Sequence, residues 1–254
     1  MSDNTHISWT DHTFNSWWGC TKVSPACLNC YAESLAWRFK KLDWGPGVER
    51  LLASEKVWNQ PEVWNRKAIR DGIRSRVFTL SMGDFFDAEV PAEWRERAWN
   101  VIRACNALDW QILTKRPENI LSMLPPDWGD GWDHVWIGTT VEDQTRADER
   151  IPIILDVPAK VRFLSCEPLL GQVNIPRIAE LNWIIAGGES GLNFRPMEAA
   201  WVRSLRDQSV NNGVAFHFKQ WGTNRPTAAG RLLDGQEWNE FPVTPLSVSQ
   251  SNYI

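Results

Sequence analysis

Short apolar runs recur along this chain, each ending in a polar cluster and followed by a stretch with helical spacing. The runs are Arg76–Leu80, Trp110–Leu113, Val135–Gly138, Val161–Leu164, Trp183–Ala186 and Val214–Phe218, with an earlier one over Phe14–Trp18. Their β-branched and aromatic content predicts short strands buried on both faces. Pro91–Ala104 predicts a helix, with Pro91 near its start and Trp94, Ala98, Val101 and Ile102 on one face. Met197–Asn211 predicts another, with Gly213 just past its end. Such alternation means βα units and a parallel sheet. The regular spacing fits an α/β barrel, closed or partly open, better than a dinucleotide-binding fold.

Residues 44–74, with Pro46, Gly47 and Pro61, read as an insertion and helix between the first two strands. Residues 223–254 read as a C-terminal extension, in which Arg231–Trp238 forms a hairpin turning at Asp234-Gly235 and 247–254 are loose. The whole chain, 1–254, is expected to be one barrel domain.

In a parallel barrel the loops after the strands share one mouth, where active sites are built. Six polar clusters are sent there: Ser81-Met82-Gly83-Asp84, Thr114-Lys115-Arg116-Pro117, Thr139-Thr140-Val141-Glu142-Asp143, Ser165-Cys166-Glu167-Pro168, Gly187-Gly188-Glu189-Ser190 and Lys219-Gln220-Trp221-Gly222. Lys115, Arg116 and Lys219 suit a carboxylate or phosphate. Glu142, Glu167 and Glu189 are either acceptors for loop backbone or pocket groups. Cys166 is either a small buried hydrophobe or, in the sharper reading, a hydrogen-atom donor or extra metal ligand. Cys105 reads as structural, and His217 as lining a core or the barrel.

No apolar run is long enough to span a bilayer, and the polar start Met1-Ser2-Asp3-Asn4 shows no secretory signal. The expectation is a cytoplasmic protein without a membrane partner. Five cysteines, three of them clustered, suit a metal site in a reducing compartment rather than a disulfide framework. A net charge of −4 opposes a strong nonspecific hold on nucleic acid, although a local basic groove is compatible with it. Of the 17 tryptophans most sit in apolar surroundings and read as packing residues, whereas Trp17, Trp18 and Trp221 flank polar motifs and are equally suited to lining a pocket.

The clustered cysteines form a C-x6-C-x2-C run, Cys20, Cys27 and Cys30, which falls after the first expected strand and so at the same mouth. Iron–sulfur clusters normally take four cysteines, so three thiolates suggest a [4Fe–4S] cluster with one iron open to an external ligand. The rival is zinc, which needs a fourth ligand, and His12 is the nearest candidate. The amino and carboxylate groups of S-adenosylmethionine would chelate an open iron, opening radical chemistry carried by the cofactor.

Gly19-Cys20-Thr21-Lys22-Val23-Ser24-Pro25, with Cys27 and Cys30-Tyr31-Ala32-Glu33, resembles a phage- and prophage-associated family of radical-SAM-like proteins. So do Leu113-Thr114-Lys115-Arg116-Pro117, Ala147-Asp148-Glu149-Arg150, Ser165 to Leu170, Gly187-Gly188-Glu189-Ser190 and Phe218-Lys219-Gln220-Trp221-Gly222. A more distant similarity is to spore photoproduct lyase, a radical enzyme acting on thymine in DNA. The resemblance implies a radical-SAM-type partial barrel of parallel strands, a [4Fe–4S] cluster on Cys20, Cys27 and Cys30, bound S-adenosylmethionine and an electron donor. It points to a nucleobase, nucleotide or single-stranded nucleic acid as substrate. Two departures stand out. The usual loop is C-x3-C-x2-C, and the Gly-Gly-Glu of typical members follows the second strand, whereas here it follows about the sixth. Its role toward the methionine amino group is therefore not carried over. Ser81 and Asp84 are the expected ligands of that group, since a hydroxyl and a carboxylate suit an ammonium. Tyr31 is expected against the adenine, and Thr140, Glu142, Glu189 and Lys219 around the rest of the cofactor. Lys115, Cys166 and Glu167 are the expected catalytic groups. The alternative is a non-catalytic nucleic-acid-binding protein stabilised by zinc or a cluster.

Overall fold

The β-branched and aromatic runs fold as strands, and seven of them lie side by side in chain order. The computed structural model describes residues 5–39, 42–225, 228–244 and 246. In sequence the elements are β1 (His12–Phe14), β2 (Trp17–Trp18), α1 (Tyr31–Arg38), β3 (Leu51–Leu52), α2 (Glu55–Trp58), α3 (Gln60–Asp71), β4 (Arg76–Thr79), α4 (Ala92–Ala104), β5 (Asp109–Thr114) and α5 (Ile120–Met123). They continue as β6 (Val135–Thr140), α6 (Gln144–Asp156), β7 (Val161–Cys166), β8 (Trp183–Gly187), α7 (Ala199–Asn211), β9 (Ala215–Gln220), β10 (Leu232–Leu233) and β11 (Gln236–Glu237). The main sheet has the order β1-β4-β5-β6-β7-β8-β9, and every neighbouring pair is parallel. No helix among the described residues is long and apolar enough to cross a membrane.

Alternation along the strands sorts side chains into two buried layers. Val77, Trp110, Ile112, Ile137, Leu164, Ile184 and Phe216 join a core with Trp64 of α3, Trp99 of α4, Ile151 of α6 and Leu205 of α7. On the opposite face Phe78, Trp136, Phe163, Trp183 and Ile185 form a second, aromatic cluster with Trp9. That face is concave. Trp9, which precedes β1, lies 4.6 Å from Phe78 and 6.2 Å from Trp183, and the Ser8 hydroxyl is 2.9 Å from His217 Nε2 on β9. The two ends of the sheet therefore curl toward each other without pairing. The result is the open parallel α/β barrel that the alternation predicts, with an aromatic floor.

The segment after β11 continues this floor. Glu240 donates its N–H to Phe216 O, Trp183 Nε1 donates to Glu240 O, and Arg76 stacks on Phe241 at 3.8 Å. His217 is sealed within this wall. Burial, with Arg231, Arg76 and Lys219 nearby, pushes its imidazole down to about 3.

Several local expectations change. The first strand is His12–Phe14 rather than Phe14–Trp18: Trp17 and Trp18 turn away as β2 and pair antiparallel with β3. Residues 44–74 supply β3, α2 and α3. Between β7 and β8 the described chain has only a 3-10 turn at Ile178–Glu180, so this strand pair lacks its crossover helix. The expected hairpin is present as β10 and β11, with Asp234 and Gly235 at φ 54° and 79°. The expectation for 247–254 lies outside the described residues. Trp17 is fully buried against Phe85 and is a core residue, not a pocket wall. Trp18 and Trp221 are half-buried, and Trp221 packs on Phe218 at 4.8 Å.

Candidate functional site

The cysteine loop leaves β2 and arches over the C-terminal end of the sheet. A parallel bridge from Gly19 to Gly83 carries the β1–β4 pairing past the strands. Pro25 opens a 3-10 turn at Pro25–Cys27, and Cys30 sits at the N-cap of α1. All three thiols are free and half-buried.

Carboxylates at three strand ends tie this loop down. Asp84, beyond β4, takes hydrogen bonds from Thr114 Oγ1 at 2.7 Å, the Phe86 and Lys115 N–H groups at 3.0 Å each, and Arg116 Nη1 at 3.1 Å. Arg116 in turn donates to Cys20 Sγ at 3.3 Å and to Thr21 O at 2.7 Å. Glu142, beyond β6, is completely buried. It accepts from Arg150 at 3.0 Å and from the Ala26 N–H at 3.3 Å, inside the cysteine run. Glu189, beyond β8, accepts from Asn29 Nδ2 at 3.0 Å and from the Arg195 N–H and Nε at 2.8 and 2.9 Å, while Arg195 Nη1 reaches Pro25 O at 3.0 Å. Buried Arg50, paired to Asp87 at 2.8 Å, adds a bond to Thr21 Oγ1 at 2.9 Å.

The charges match this arrangement. Burial opposes ionisation of Glu189, but hydrogen bonds from Arg195 and Asn29 outweigh it and hold the carboxyl below its ordinary value. Burial likewise disfavours the Arg116 cation, and Asp84, Cys20 and Asp87 more than compensate, holding its pKa above the ordinary value. Burial pushes the Cys20 thiol up to about 12, with Asp84 adding to the effect and Arg116 opposing it. The Cys30 thiol is also raised by burial, against the Glu33 N–H and the Lys115 charge.

A second set lines the mouth beside the loop. The Tyr31 hydroxyl donates to Ser81 O at 2.6 Å, and Ser81 Oγ exchanges hydrogen bonds with the Asn15 amide at 3.1 and 3.2 Å. Burial, Cys30 and Glu167 keep the Tyr31 phenol above its ordinary pKa, although the residue as a whole is half exposed. Lys219, two residues beyond His217 and on the same face of β9, pairs with Glu167. A Cβ on Gly187 would meet both Glu167 and Lys219 at 3.4 Å, in ordinary van der Waals contact. Thr140 shares the concave parity of Trp136 on β6, and its buried hydroxyl has no hydrogen-bond partner among the described residues.

The structure thus brings Cys20, Cys27, Cys30, Tyr31, Ser81, Lys115, Thr140, Glu167 and Lys219 to one mouth. Asp84, Glu142 and Glu189 are there too, but they hold the loop from beneath, their carboxylates filled by donors of this chain. Asp84, expected to meet an amino group, has four such donors. Cys166 is a correction: it is fully buried in the helix-facing core with Leu164 and Ala186, on the convex side of β7. There burial, with Glu142 adding, pushes its thiol up to about 12. His12 is another correction, because its ring stacks on Trp64 of α3 at 4.4 Å, away from the cysteine loop. Residues missed from sequence are Asn15, Asn29, Arg150 and Arg195. Arg150 alone carried a signal, since it ends the Ala147-Asp148-Glu149-Arg150 motif.

The Gly187-Gly188-Glu189 and Trp221-Gly222 motifs meet here for a steric reason. A Cβ on Gly188 would lie 2.2 Å from Gly222 N, and one on Gly222 would lie 2.7 Å from Glu189 O. The backbones cross closely, with Gly188 N–H bonded to Gln220 O and Thr223 N–H to Glu189 O.

Zinc wants four donors converging at about 2.0–2.3 Å. Among the described residues no three His, Cys, Asp or Glu side chains, Cys20, Cys27 and Cys30 included, are gathered closely enough to hold a metal ion. The polar side chains bonded to the sulfurs are Arg116 on Cys20 and Ser24 on Cys27, neither a metal ligand. Three thiols on one loop are the donor type that a [4Fe–4S] group takes, one thiolate to an iron.

Fold and site together define an open parallel α/β barrel carrying a three-cysteine loop at its mouth. The chain belongs to the family described as "Protein of unknown function (DUF5131)", whose model matches residues 4–242. No curated protein matches it in sequence. Two solved structures are similar, both of spore photoproduct lyase variants. One holds the dinucleoside spore photoproduct: 14% identity, 66% of this chain and 48% of that one covered, TM-score 0.47. The other holds AdoMet and the dinucleoside spore photoproduct: 11% identity, 82% and 55% covered, TM-score 0.46. The chain thus spans about half the length of these proteins.

Proposed function

We propose that the mouth holds a [4Fe–4S] cluster on Cys20, Cys27 and Cys30, and that the protein is a radical-SAM enzyme acting on a nucleobase, nucleotide or single-stranded nucleic acid. The observation that carries this reading is the tethering of a three-thiol loop by Asp84–Arg116, Glu142 and Glu189 beside a concave polar wall. Such a loop is built to keep three sulfurs in place while leaving one side of the site open. When bound, the cluster supplies one electron, taken from an external donor, for cleavage of the sulfonium of S-adenosylmethionine.

The chain's own groups suit the rest. Arg116 and Lys115 bring positive charge to Cys20 and Cys30, opposing the burial that raises both thiols. Glu167 and Lys219 offer an anion and a cation side by side, matching the ammonium and carboxylate of an amino acid. The Thr140 hydroxyl, without a partner among the described residues, supplies a hydrogen bond, whereas the Ser81 hydroxyl is engaged with Asn15, and Tyr31 offers an aromatic face to a flat ring. The ammonium role moves from Asp84 to Glu167, because Asp84 is filled by donors of this chain.

Anaerobic reconstitution tests the reading. About four irons and four sulfides per chain are expected, falling sharply in Cys20→Ala, Cys27→Ala and Cys30→Ala. The reduced protein should convert S-adenosylmethionine to 5′-deoxyadenosine and methionine, and Cys20→Ala should abolish this. One stoichiometric zinc without sulfide would refute the cluster. A stable cluster that neither binds nor cleaves S-adenosylmethionine would refute the radical chemistry alone.

A further inference from the structure

Of the 17 tryptophans only Trp37 is largely exposed, at 80%, and Phe39 close by is 58% exposed. Both belong to α1 or its C-cap, and α1 starts at the mouth with Tyr31. Ala32 and Ala36 bury the opposite side of this helix, so its orientation is fixed. Tyr31, Ser34, Trp37 and Arg38 are all exposed and spaced for one outward stripe. Six residues of helix place Trp37 about 9 Å from Tyr31 along the axis. The stripe therefore leads from the mouth outward.

Charge favours an anion there. Arg38 lies on the stripe and is followed in the sequence by Lys40 and Lys41, with Asp43 the next acid, within a chain of net charge −4. The acid within α1, Glu33, is already paired with Lys22 at 2.6 Å. Aromatic faces interleaved with basic side chains bind single strands, because bases stack on the rings while cations follow the phosphates.

We infer that the outward stripe of α1 is a docking platform for a single-stranded nucleic acid, with Trp37 stacking a base and Arg38 meeting the backbone. This deepens the functional reading above, on which it rests for the chemical class of substrate. Stacked bases rise 3.4 Å per strand residue, so the roughly 9 Å from Trp37 to the mouth is covered by between two and three base steps. The platform would guide a strand toward the concave mouth. Duplex DNA, with its bases already stacked on one another, has little to offer exposed rings.

The test uses the full chain after reconstitution and a fluorescein-labelled oligothymidylate, read by anisotropy at low salt. Trp37→Ala should weaken binding at least about fivefold, the low end for one stacking contact. Arg38→Gln should weaken it and flatten the salt dependence by roughly 0.7 in log–log slope, one phosphate contact on a single strand. Cleavage of S-adenosylmethionine without oligonucleotide should be unchanged in Trp37→Ala, which separates this inference from the cluster reading. Trp37-dependent oligonucleotide binding by protein without a cluster would keep the platform and sink the cluster. Wild-type affinity in Trp37→Ala, or no binding by the wild type, overturns the platform. So does Trp37-dependent sedimentation with anionic vesicles, or Trp37-dependent dimerisation, in place of oligonucleotide binding.

Discussion

Arg116→Gln removes the link between the strand ends and the first cysteine. In the native protein the guanidinium is buried, bonded to Asp84 at 3.1 Å, Thr21 O at 2.7 Å and Cys20 Sγ at 3.3 Å. Breaking a buried ion pair from one side costs about 3–5 kcal/mol, because the partner charge is left uncompensated. Here Asp84 keeps three donors, Thr114 Oγ1 and the N–H groups of Phe86 and Lys115. They continue to stabilise its charge, so the expected cost lies near the lower limit, about 3 kcal/mol. Urea unfolding of the metal-free protein at neutral pH measures it without involving any cofactor. Asp84→Asn and the double variant complete a cycle, and residues sharing one hydrogen-bond network should couple by at least about 1 kcal/mol. A cost for Arg116→Gln below about 1 kcal/mol, or additive single effects, would refute the clamp.

Gly188→Ala should destabilise by up to about 3 kcal/mol, since its Cβ meets backbone at 2.2 Å that no rotamer change can move; Gly171→Ala, whose nearest neighbour would be 3.9 Å away, is the control and should stay within about 0.5 kcal/mol. Equal effects in urea unfolding would contradict the close crossing. Glu189→Gln should lower the iron retained after reconstitution and desalting, because Asn29 and Arg195 lose their shared carboxylate; unchanged iron content would show that this anchor is dispensable. The folded His217 titrates near 3, below its unfolded value, so the unfolded state takes up the proton first and stability is complete above about pH 6.5 and declines as the pH falls toward 3. The limiting slope is about 1.4 kcal/mol per pH unit. Between pH 6.5 and 5 the wild type should lose more stability than His217→Gln, with His134, also depressed by burial, contributing equally to both; parallel curves would refute the assignment.

Much of the barrel was legible because parallel strands buried on both faces are written as continuous apolar runs. Val161–Cys166 and Trp183–Gly187 sit where Val161–Leu164 and Trp183–Ala186 predicted them, lengthened by polar residues at the mouth. The exceptions have local causes. Trp17 and Trp18 look like strand residues and are, but they pair with Leu51 and Leu52, a partner more than thirty positions away that no local pattern announces. The missing crossover helix after β7 follows from Pro168, Gly171 and Pro176, which interrupt the segment where a helix would have to nucleate. Trp37 was invisible for the opposite reason: in a chain with so many buried tryptophans, one outside the polar motifs of the strand ends looks like core.

The mouth was legible as a place but not as a division of labour. Alternation and topology alone send Asp84, Glu142, Glu167 and Glu189 to one end of the sheet. What each carboxylate does depends on which donors reach it, and those come from Arg116, Arg150 and Arg195, located 32, 8 and 6 residues away along the chain. A carboxylate filled by an arginine and by loop N–H groups is a strut, whereas one that among the described residues pairs with a lysine is able to exchange that partner for a ligand. By this criterion Glu167 with Lys219 is the pair that remains chemically available, and Asp84, Glu142 and Glu189 are the reason the thiol loop keeps its shape. The same logic accounts for the wide first gap between Cys20 and Cys27. The intervening turn must carry Thr21, Pro25 and Ala26 to Arg116, Arg195 and Glu142 respectively, and a shorter gap would leave the strand-end struts without their partners.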